Sequence, residues 1–142
     1  MPKMNLHESC EERRFIASLD HGADLLNSIR KVAEERGIKA GVFWIIGAVK
    51  DATVAYYNQK DKKYVKTVLN DAFEITSCLG NISEFKGQTR VHAHITLADK
   101  NGRILGGHAC EGTTIYAAEL YLVDLKVKLE RAHDNTTGLD LF

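Results

Sequence analysis

The stretch of sequence that decides the expected fold runs from Thr89 to Ala109 and reads TRVHAHITLADKNGRILGGHA. The segments Thr89–Ala98 and Arg103–Ala109 have the residue pattern of half-buried strands. Lys100-Asn101-Gly102, between them, is typical of a tight turn. The stretch therefore predicts an antiparallel hairpin. It also contains three of the six histidines of the chain, which makes the same hairpin the candidate functional site.

The length of the turn decides whether the three histidines meet. His92 and His94 are two apart on the predicted strand, so their rings leave the same face roughly 7 Å apart. If Asn101-Gly102 alone formed the turn, His108 would point to the opposite face. If Lys100-Asn101-Gly102 formed the turn, with its glycine left-handed, His94 would face His108 directly. The sequence favours the three-residue turn and leaves the shorter one open.

Three imidazoles on one strand face have two interpretations. Neutral histidines hold zinc at about 2.0–2.1 Å, and three of them leave a fourth position for water. The same pairing would place Cys110 opposite His92, where a thiolate would fill that position and make the site structural. Alternatively, the histidines are only the polar face of an exposed strand. The candidate metal ligands are therefore His92, His94 and His108, with Cys110 as the open question.

Outside the hairpin, the pattern predicts one helix and several more strands. Ala23–Arg36 carries apolar residues at helical spacing, with Asp20 as the N-cap and Gly37 as a left-handed stop. Ala40–Val49 is apolar on consecutive positions, as a strand covered on both faces would be. A turn is expected at Lys50-Asp51. The other predicted strands are Arg13–Leu19, Thr53–Tyr57, Tyr64–Leu69, Phe73–Leu79 and Ala117–Lys128.

One main helix followed by seven or eight strands predicts an α+β fold with a largely antiparallel sheet. The length of 142 residues favours a single domain over residues 1–142, with a core at about 12–130. The last residues, His133–Phe142, show no periodic pattern, and we expect an irregular tail there.

Composition narrows the function classes. Lys plus Arg and Asp plus Glu each number 19, so a neutral chain offers no general attraction to nucleic acid or anionic lipid. Lysines 60, 62, 63 and 66 form one local basic run, either a solvated loop or a phosphate contact. Met1–Asn5 has no apolar signal region, the three cysteines are odd in number, and no apolar stretch nears the ~20 residues of a membrane span. We therefore expect a cytoplasmic protein without disulfides.

Two carboxylates and two cysteines complete the candidates. Glu74 and Glu119 lie inside apolar β-like runs, where each is either a solvated face residue or a proton carrier beside a metal. They are the candidate catalytic residues. Cys78 is expected to be a small buried apolar side chain. Cys10 has three glutamates around it, which disfavour the thiolate, so we expect it to be inert.

Several short motifs in order resemble the Plants and Prokaryotes Conserved (PPC) domain family, in its stand-alone prokaryotic form. They are Ile46-Gly47-Ala48-Val49, Phe73-Glu74-Ile75 and Leu97–His108. The resemblance covers most of the chain and implies a curved antiparallel sheet, a homotrimer and a zinc ion bound by His92, His94 and His108. It implies no role for a cysteine at position 110, so we expect Cys110 to pack as a small side chain.

The DNA-binding label of that family comes from plant members that carry AT-hooks. This chain has no Arg-Gly-Arg-Pro hook, and the plant box Gly-Arg-Phe-Glu-Ile-Leu reads as Asp71–Thr76 without a basic residue. We therefore expect a trimeric zinc protein that binds DNA weakly if at all, with an unassigned physiological role. The alternative is a zinc-dependent enzyme on a small carbonyl or carboxylate substrate, because the fold is similar to that of acetolactate decarboxylase. Either interpretation allows a small molecule to bind at the metal.

Overall fold

The computed structural model describes residues 7–8 and 12–142, most of them in strands. In chain order the elements are β1 (Arg13–Leu19), α1 (Leu25–Glu35), β2 (Gly41–Asn58), β3 (Lys63–Leu69), β4 (Phe73–Phe85), β5 (Gln88–Ala98), β6 (Ile104–Ala109), β7 (Thr114–Asp124), β8 (Ala132–Asp134) and β9 (Leu139–Leu141). Seven strands form one sheet in the order β1-β7-β2-β4-β5-β6, with β3 paired to β2, and β8 pairs with β9. All these strand pairs are antiparallel, as the sequence predicts.

The single helix of the described residues, α1, is capped four residues later than expected. Asp24, not Asp20, is the N-cap, and its carboxylate accepts a hydrogen bond from the Asn27 backbone nitrogen at 3.0 Å. Asp20 lies in the preceding turn, where its carbonyl oxygen accepts from Ala23. Gly37 has φ +65° and ends the helix as predicted. With only 11 residues in α1, no helix in the described ranges is long and apolar enough to cross a membrane.

Strand β2 is one continuous strand of 18 residues, so the expected turn at Lys50-Asp51 is wrong. Its first half pairs with β4 and β7, and its second half pairs with β3 and β6. Its pairing register shifts between Ile45 and Gly47 against β4, and between Val49 and Asp51 against β7. The strand itself continues through both irregularities. A bulge of this kind bends a strand, and here it brings β6 against the second half of β2.

The two faces of the sheet differ in how they are covered. The inner face packs with α1 into a core whose largest fully buried side chains include Phe43, Ile45, Ile82, Leu97, Ile115 and Leu120. The outer face presents a row across four strands, in which each residue pairs in register with the next: Ile16, Tyr121, Trp44 and Leu79. These four residues, the outer row, are 79%, 41%, 47% and 51% exposed. Within a single chain the outer face of this segment is exposed, so the prediction that Ala40–Val49 is covered on both faces is wrong.

The C-terminal residues form a hairpin rather than the expected irregular tail. Strands β8 and β9 have three residues each, too few for a periodic pattern to show in the sequence. The chain before them is fixed to β4, because Glu84 exchanges backbone hydrogen bonds with Leu129 and Arg131. The hydroxyl of Tyr57 donates to the Thr137 carbonyl oxygen at 2.6 Å. These contacts bring the C-terminal hairpin to the end of β5 that carries the histidines.

Candidate metal centre

The β5–β6 hairpin is closed by the three-residue turn Lys100-Asn101-Gly102. The backbone nitrogen of Asp99 donates to the Arg103 carbonyl oxygen at 3.0 Å. The glycine of the turn has φ +77°, a left-handed conformation that glycine adopts without strain. With this turn, His94 pairs directly with His108. The three-residue turn is confirmed, and the two-residue alternative is wrong.

The three histidine side chains meet on the outer face of the sheet. His92 precedes His94 by two positions on β5, so both project to that face. The ring centroids lie 5.1, 5.2 and 5.7 Å apart. One ligand nitrogen from each ring lies within 4.8 Å of the other two. Modest side-chain rotations would bring such nitrogens to zinc-binding distance, so the cluster could hold a metal ion.

The surroundings of the cluster favour neutral imidazoles. The pKa of His92 is lowered to about 4, mainly by burial and also by the neighbouring His108 and His94. Burial also lowers the pKa of His108, with His94 and Lys66 acting in the same direction. At neutral pH both rings are therefore uncharged, which is the form in which an imidazole nitrogen binds a metal.

One nitrogen of the cluster has an unmet bonding requirement. Among the described residues, His108 Nδ1 is buried and has no hydrogen-bond partner. The ring of Tyr64 covers His108 at a centroid distance of 4.6 Å and supplies no polar partner to that nitrogen. A buried polar atom without a partner costs about 1–3 kcal/mol. The three neighbouring rings and the unpartnered His108 nitrogen fit a metal ion, which binds imidazole nitrogens.

Neither of the two described cysteines belongs to the group of side chains that could hold a metal. Cys110 does not face His92, because β6 leaves β5 after His108 and continues along β2, where the Cys110 nitrogen donates to Thr53. Cys110 is buried, its thiol donates to the His108 carbonyl oxygen at 3.6 Å, and burial raises its pKa. Cys78 is buried as predicted, with its pKa raised to about 12 by burial. Cys10 lies outside the described residues.

The two candidate catalytic carboxylates lie on the outer face, away from the histidines. Glu74 pairs with Ala98 on β5, and Glu119 pairs with Ile46 on β2. Both line one shallow depression, whose lining includes none of the three histidines. Leu79 is the residue of β4 that pairs with His94. Glu74 lies five positions from Leu79 along β4, which is roughly 16 Å at ~3.3 Å per residue. Within one chain, neither carboxylate reaches the cluster.

A cavity of about 220 Å³ opens beside the cluster, between β5, Tyr64 and the C-terminal hairpin. Its lining includes His92, His108, Arg90 and Arg131. The sequence predicts no functional role for either arginine or for Tyr64. Arg131 lies between the last predicted strand, Ala117–Lys128, and the tail predicted at His133–Phe142, and no local pattern connects it to a histidine on β5.

The described chain thus combines an antiparallel sheet and one short helix with a group of three neighbouring histidines. The Plants and Prokaryotes Conserved (PCC) domain matches residues 7–126, and the chain belongs to that family. Among curated proteins, it is 31% identical over 120 residues to the bifunctional protein GlmU of Synechococcus sp. (strain JA-3-3Ab). The match covers 82% of this chain and 18% of GlmU, so the chain spans less than a fifth of that relative.

Solved structures share the fold over nearly the whole chain. The metal-containing protein AF0104 from Archaeoglobus fulgidus is 37% identical, with a TM-score of 0.93 and coverage of 98% of this chain and 99% of that one. A plant- and prokaryote-conserved protein of Pyrococcus horikoshii is 31% identical, with a TM-score of 0.87 over 92% and 90% of the two chains. A protein of Bacteroides thetaiotaomicron, named a "putative dna binding protein", is 26% identical, with a TM-score of 0.85 over 90% of each chain.

Proposed function

We propose that this protein binds one zinc ion per chain through His92, His94 and His108, and that it acts as a homotrimer. The observation that carries the metal proposal is the group of three imidazoles with ligand nitrogens within 4.8 Å of one another, and a buried His108 nitrogen without a partner supports it. The Archaeoglobus fulgidus neighbour, described as a metal-containing protein, supports it. Zinc is the ion proposed because three histidines with one open position are a usual catalytic zinc arrangement.

The test is elemental analysis of protein purified without a histidine tag. Wild-type protein should carry about one zinc per chain, and His94→Ala should abolish stoichiometric metal. His7→Ala is the matched control, because His7 is exposed and lies outside the cluster. Zinc content and affinity that survive in His94→Ala would show that the ligand assignment is wrong.

The outer row supports assembly. Four large apolar side chains in register form an exposed patch of the kind that marks protein interfaces. The occupant we propose is other copies of the same chain, because a formal net charge of zero leaves copies with no overall repulsion. Light scattering should give three times the chain mass of 15.8 kDa, and a monomer at micromolar concentration would contradict the proposal.

DNA binding is the second candidate function, favoured by the basic run and by the description of the Bacteroides thetaiotaomicron neighbour. Lysines 60, 62, 63 and 66 are exposed on the β2–β3 hairpin. Four lysines neutralise about four phosphates, so the logarithm of affinity should fall with the logarithm of salt at a slope no steeper than about −4. Titration with duplex DNA tests this, and nanomolar, sequence-dependent binding would place DNA recognition first.

The enzyme alternative receives less support. Proton transfer at a zinc-bound substrate requires an acid or base within hydrogen-bond reach. Glu74 and Glu119 line a different depression from the one beside the histidines. We therefore propose ligand binding at the metal, with the physiological role left to the identity of that ligand.

A further inference from the structure

The cavity beside the three histidines has cationic side chains in its wall. Arg90 and Arg131 line it together with His92, His108 and Tyr64, and Asp140 lines it from the C-terminal hairpin. A metal ion on the histidines would therefore lie at one end of a cavity that already contains two guanidinium groups. Such a cavity needs a compensating negative charge.

Arg131 is held in place by neutral partners. Its Nε donates to Ser83 Oγ at 2.6 Å, its Nη2 donates to Asn81 Oδ1 at 2.8 Å, and its Nη1 donates to the Asp140 carbonyl oxygen at 2.8 Å. The guanidinium also lies over the ring of Phe142, 4.8 Å from its centroid. These contacts use three of its five N–H groups and fix its orientation without neutralising its charge.

The fixed guanidinium lies close to the metal ligands. Asn81, which accepts from Arg131, pairs directly with His92 across β4 and β5. Placing a cation beside a divalent metal ion is unfavourable by Coulomb's law unless an anion lies between them.

The carboxylate of Asp140 does not supply that anion to Arg131. Its oxygens lie 3.8 Å from Arg90 and 3.2 Å from His133. Among the described residues, Arg131 has no ion pair with an acidic side chain. Asp140 accepts its hydrogen bond through the backbone oxygen, and the Asp140 carboxylate acts on Arg131 only at longer range. The Asp140 carboxylate is therefore already shared between Arg90 and His133, and two of the five N–H groups of Arg131 make no hydrogen bond to the described residues.

We propose that this cavity binds a small oxyanion, a carboxylate or phosphate group, between Arg131 and the metal ion held by the three histidines. The inference rests on the proposed metal site and adds to it the class of ligand and its anchoring residue. A planar guanidinium is suited to pairing with the oxygens of either group. The volume of about 220 Å³ restricts the ligand to a small molecule.

The test is isothermal titration of zinc-loaded protein with inorganic phosphate and, separately, with malonate. Wild-type protein should bind at least one of them saturably, and the tighter of the two identifies the oxyanion. Arg131→Gln should weaken that binding at least tenfold while zinc content stays at one per chain. Arg30→Gln is the matched control, because Arg30 pairs with Glu111 outside the cavity, and its binding should stay within twofold of wild type.

A second variant protects the test against misfolding of Arg131→Gln. Leu141 lines the cavity and is 42% exposed, so Leu141→Glu adds a carboxylate to the cavity and keeps every Arg131 hydrogen bond. It should compete with the added anion and weaken its binding at least tenfold. Unchanged anion affinity in Leu141→Glu would overturn the proposal.

The outcomes separate this inference from the proposed metal site. Stoichiometric zinc with no binding of either anion would overturn the oxyanion site alone. Absence of zinc, with anion binding that still depends on Arg131, would overturn the metal site and support the oxyanion site. Anion binding that Arg131→Gln leaves within twofold of wild type would overturn the role of Arg131.

Discussion

The outer row and the histidine cluster lie side by side on one face of the same sheet, yet they differ in how far the chain itself covers them. In the outer row, Trp44 and Leu79 are about half exposed, and nothing within the described chain covers them. Leu79 pairs in register with His94, where the surface changes to converging imidazoles beside a walled cavity. The candidate site is thus formed within one chain, while no part of the described chain covers its apolar neighbour.

The difference also concerns how each region is determined by the sequence. The cluster is set largely by one hairpin, since the turn of Lys100-Asn101-Gly102 fixes His94 opposite His108. The outer row needs β1, β7, β2 and β4 to pair in the correct register, and these strands are far apart in the chain. A change in the outer row should therefore alter assembly and leave the histidine cluster intact.

The largest expected effect comes from placing a charge in the middle of the outer row. Trp44→Glu should convert the proposed homotrimer to monomers, because burying an unpaired carboxylate costs several kcal/mol at each copy of the interface. Light scattering would show the mass falling from three chains to one, with zinc content per chain unchanged. Val68→Glu on β3 is the control, since Val68 is also exposed but lies outside the outer row. A Trp44→Glu variant that stays trimeric would remove this face from the interface.

A smaller effect is expected from pH in the metal-free protein. The folded-state pKa of His92 is lowered to about 4, while an unfolded chain binds that proton near 6.5. Between these values the unfolded state holds more protons, so the free energy of unfolding should decrease as pH falls from 7 towards 4. His108, whose pKa is also lowered, acts in the same direction.

Thermal unfolding of metal-free protein at pH 7, 6 and 5 measures this dependence. The midpoint should fall with pH, and His92→Gln should flatten the decrease because glutamine does not titrate. A midpoint that stays constant over this range, or a His92→Gln variant with the slope of wild type, would show that His92 is not buried in its neutral form.

The smallest effect is expected at Cys110. Since Cys110 turns away with β6 towards β2, Cys110→Ser should change zinc affinity by less than about tenfold, or ~1.4 kcal/mol. Competition with a fluorescent zinc chelator measures the affinity. Cys78→Ser is a useful comparison, because it places a hydroxyl in the core and should lower stability without a specific effect on zinc. A loss well beyond tenfold in Cys110→Ser alone would place sulfur on the metal.

The sequence predicted what short-range patterns encode. Alternation and turn chemistry identified β1, β3, β5 and β6 to within a residue or so, and the glycine at position 102 favoured the correct turn. The histidine cluster followed from the assignment of β5 and β6, from the three-residue turn between them, and from the two-residue period of a strand. The end of α1 was also marked locally, by Gly37.

Features that depend on distant contacts were missed. Asp24 caps α1 in a setting where its carboxylate also accepts from Gly112, a residue far along the chain. The bulges of β2 depend on pairing with β7 and β4, so Lys50-Asp51 was mistaken for a turn. Arg131 approaches the cluster only because the C-terminal residues fold back along β4, and nothing in the local sequence indicates this.

The central claim is that three histidines, and no sulfur, hold the metal and leave one position open. The absorption spectrum of cobalt-substituted protein tests it most directly, because it reports coordination geometry and thiolate ligation together. The cobalt protein should show stoichiometric cobalt with a four-coordinate visible spectrum and no intense thiolate charge-transfer band in the near ultraviolet, and His94→Ala should lose that spectrum. An intense thiolate band that disappears in Cys110→Ser, or a cobalt spectrum unchanged in His94→Ala, would contradict it.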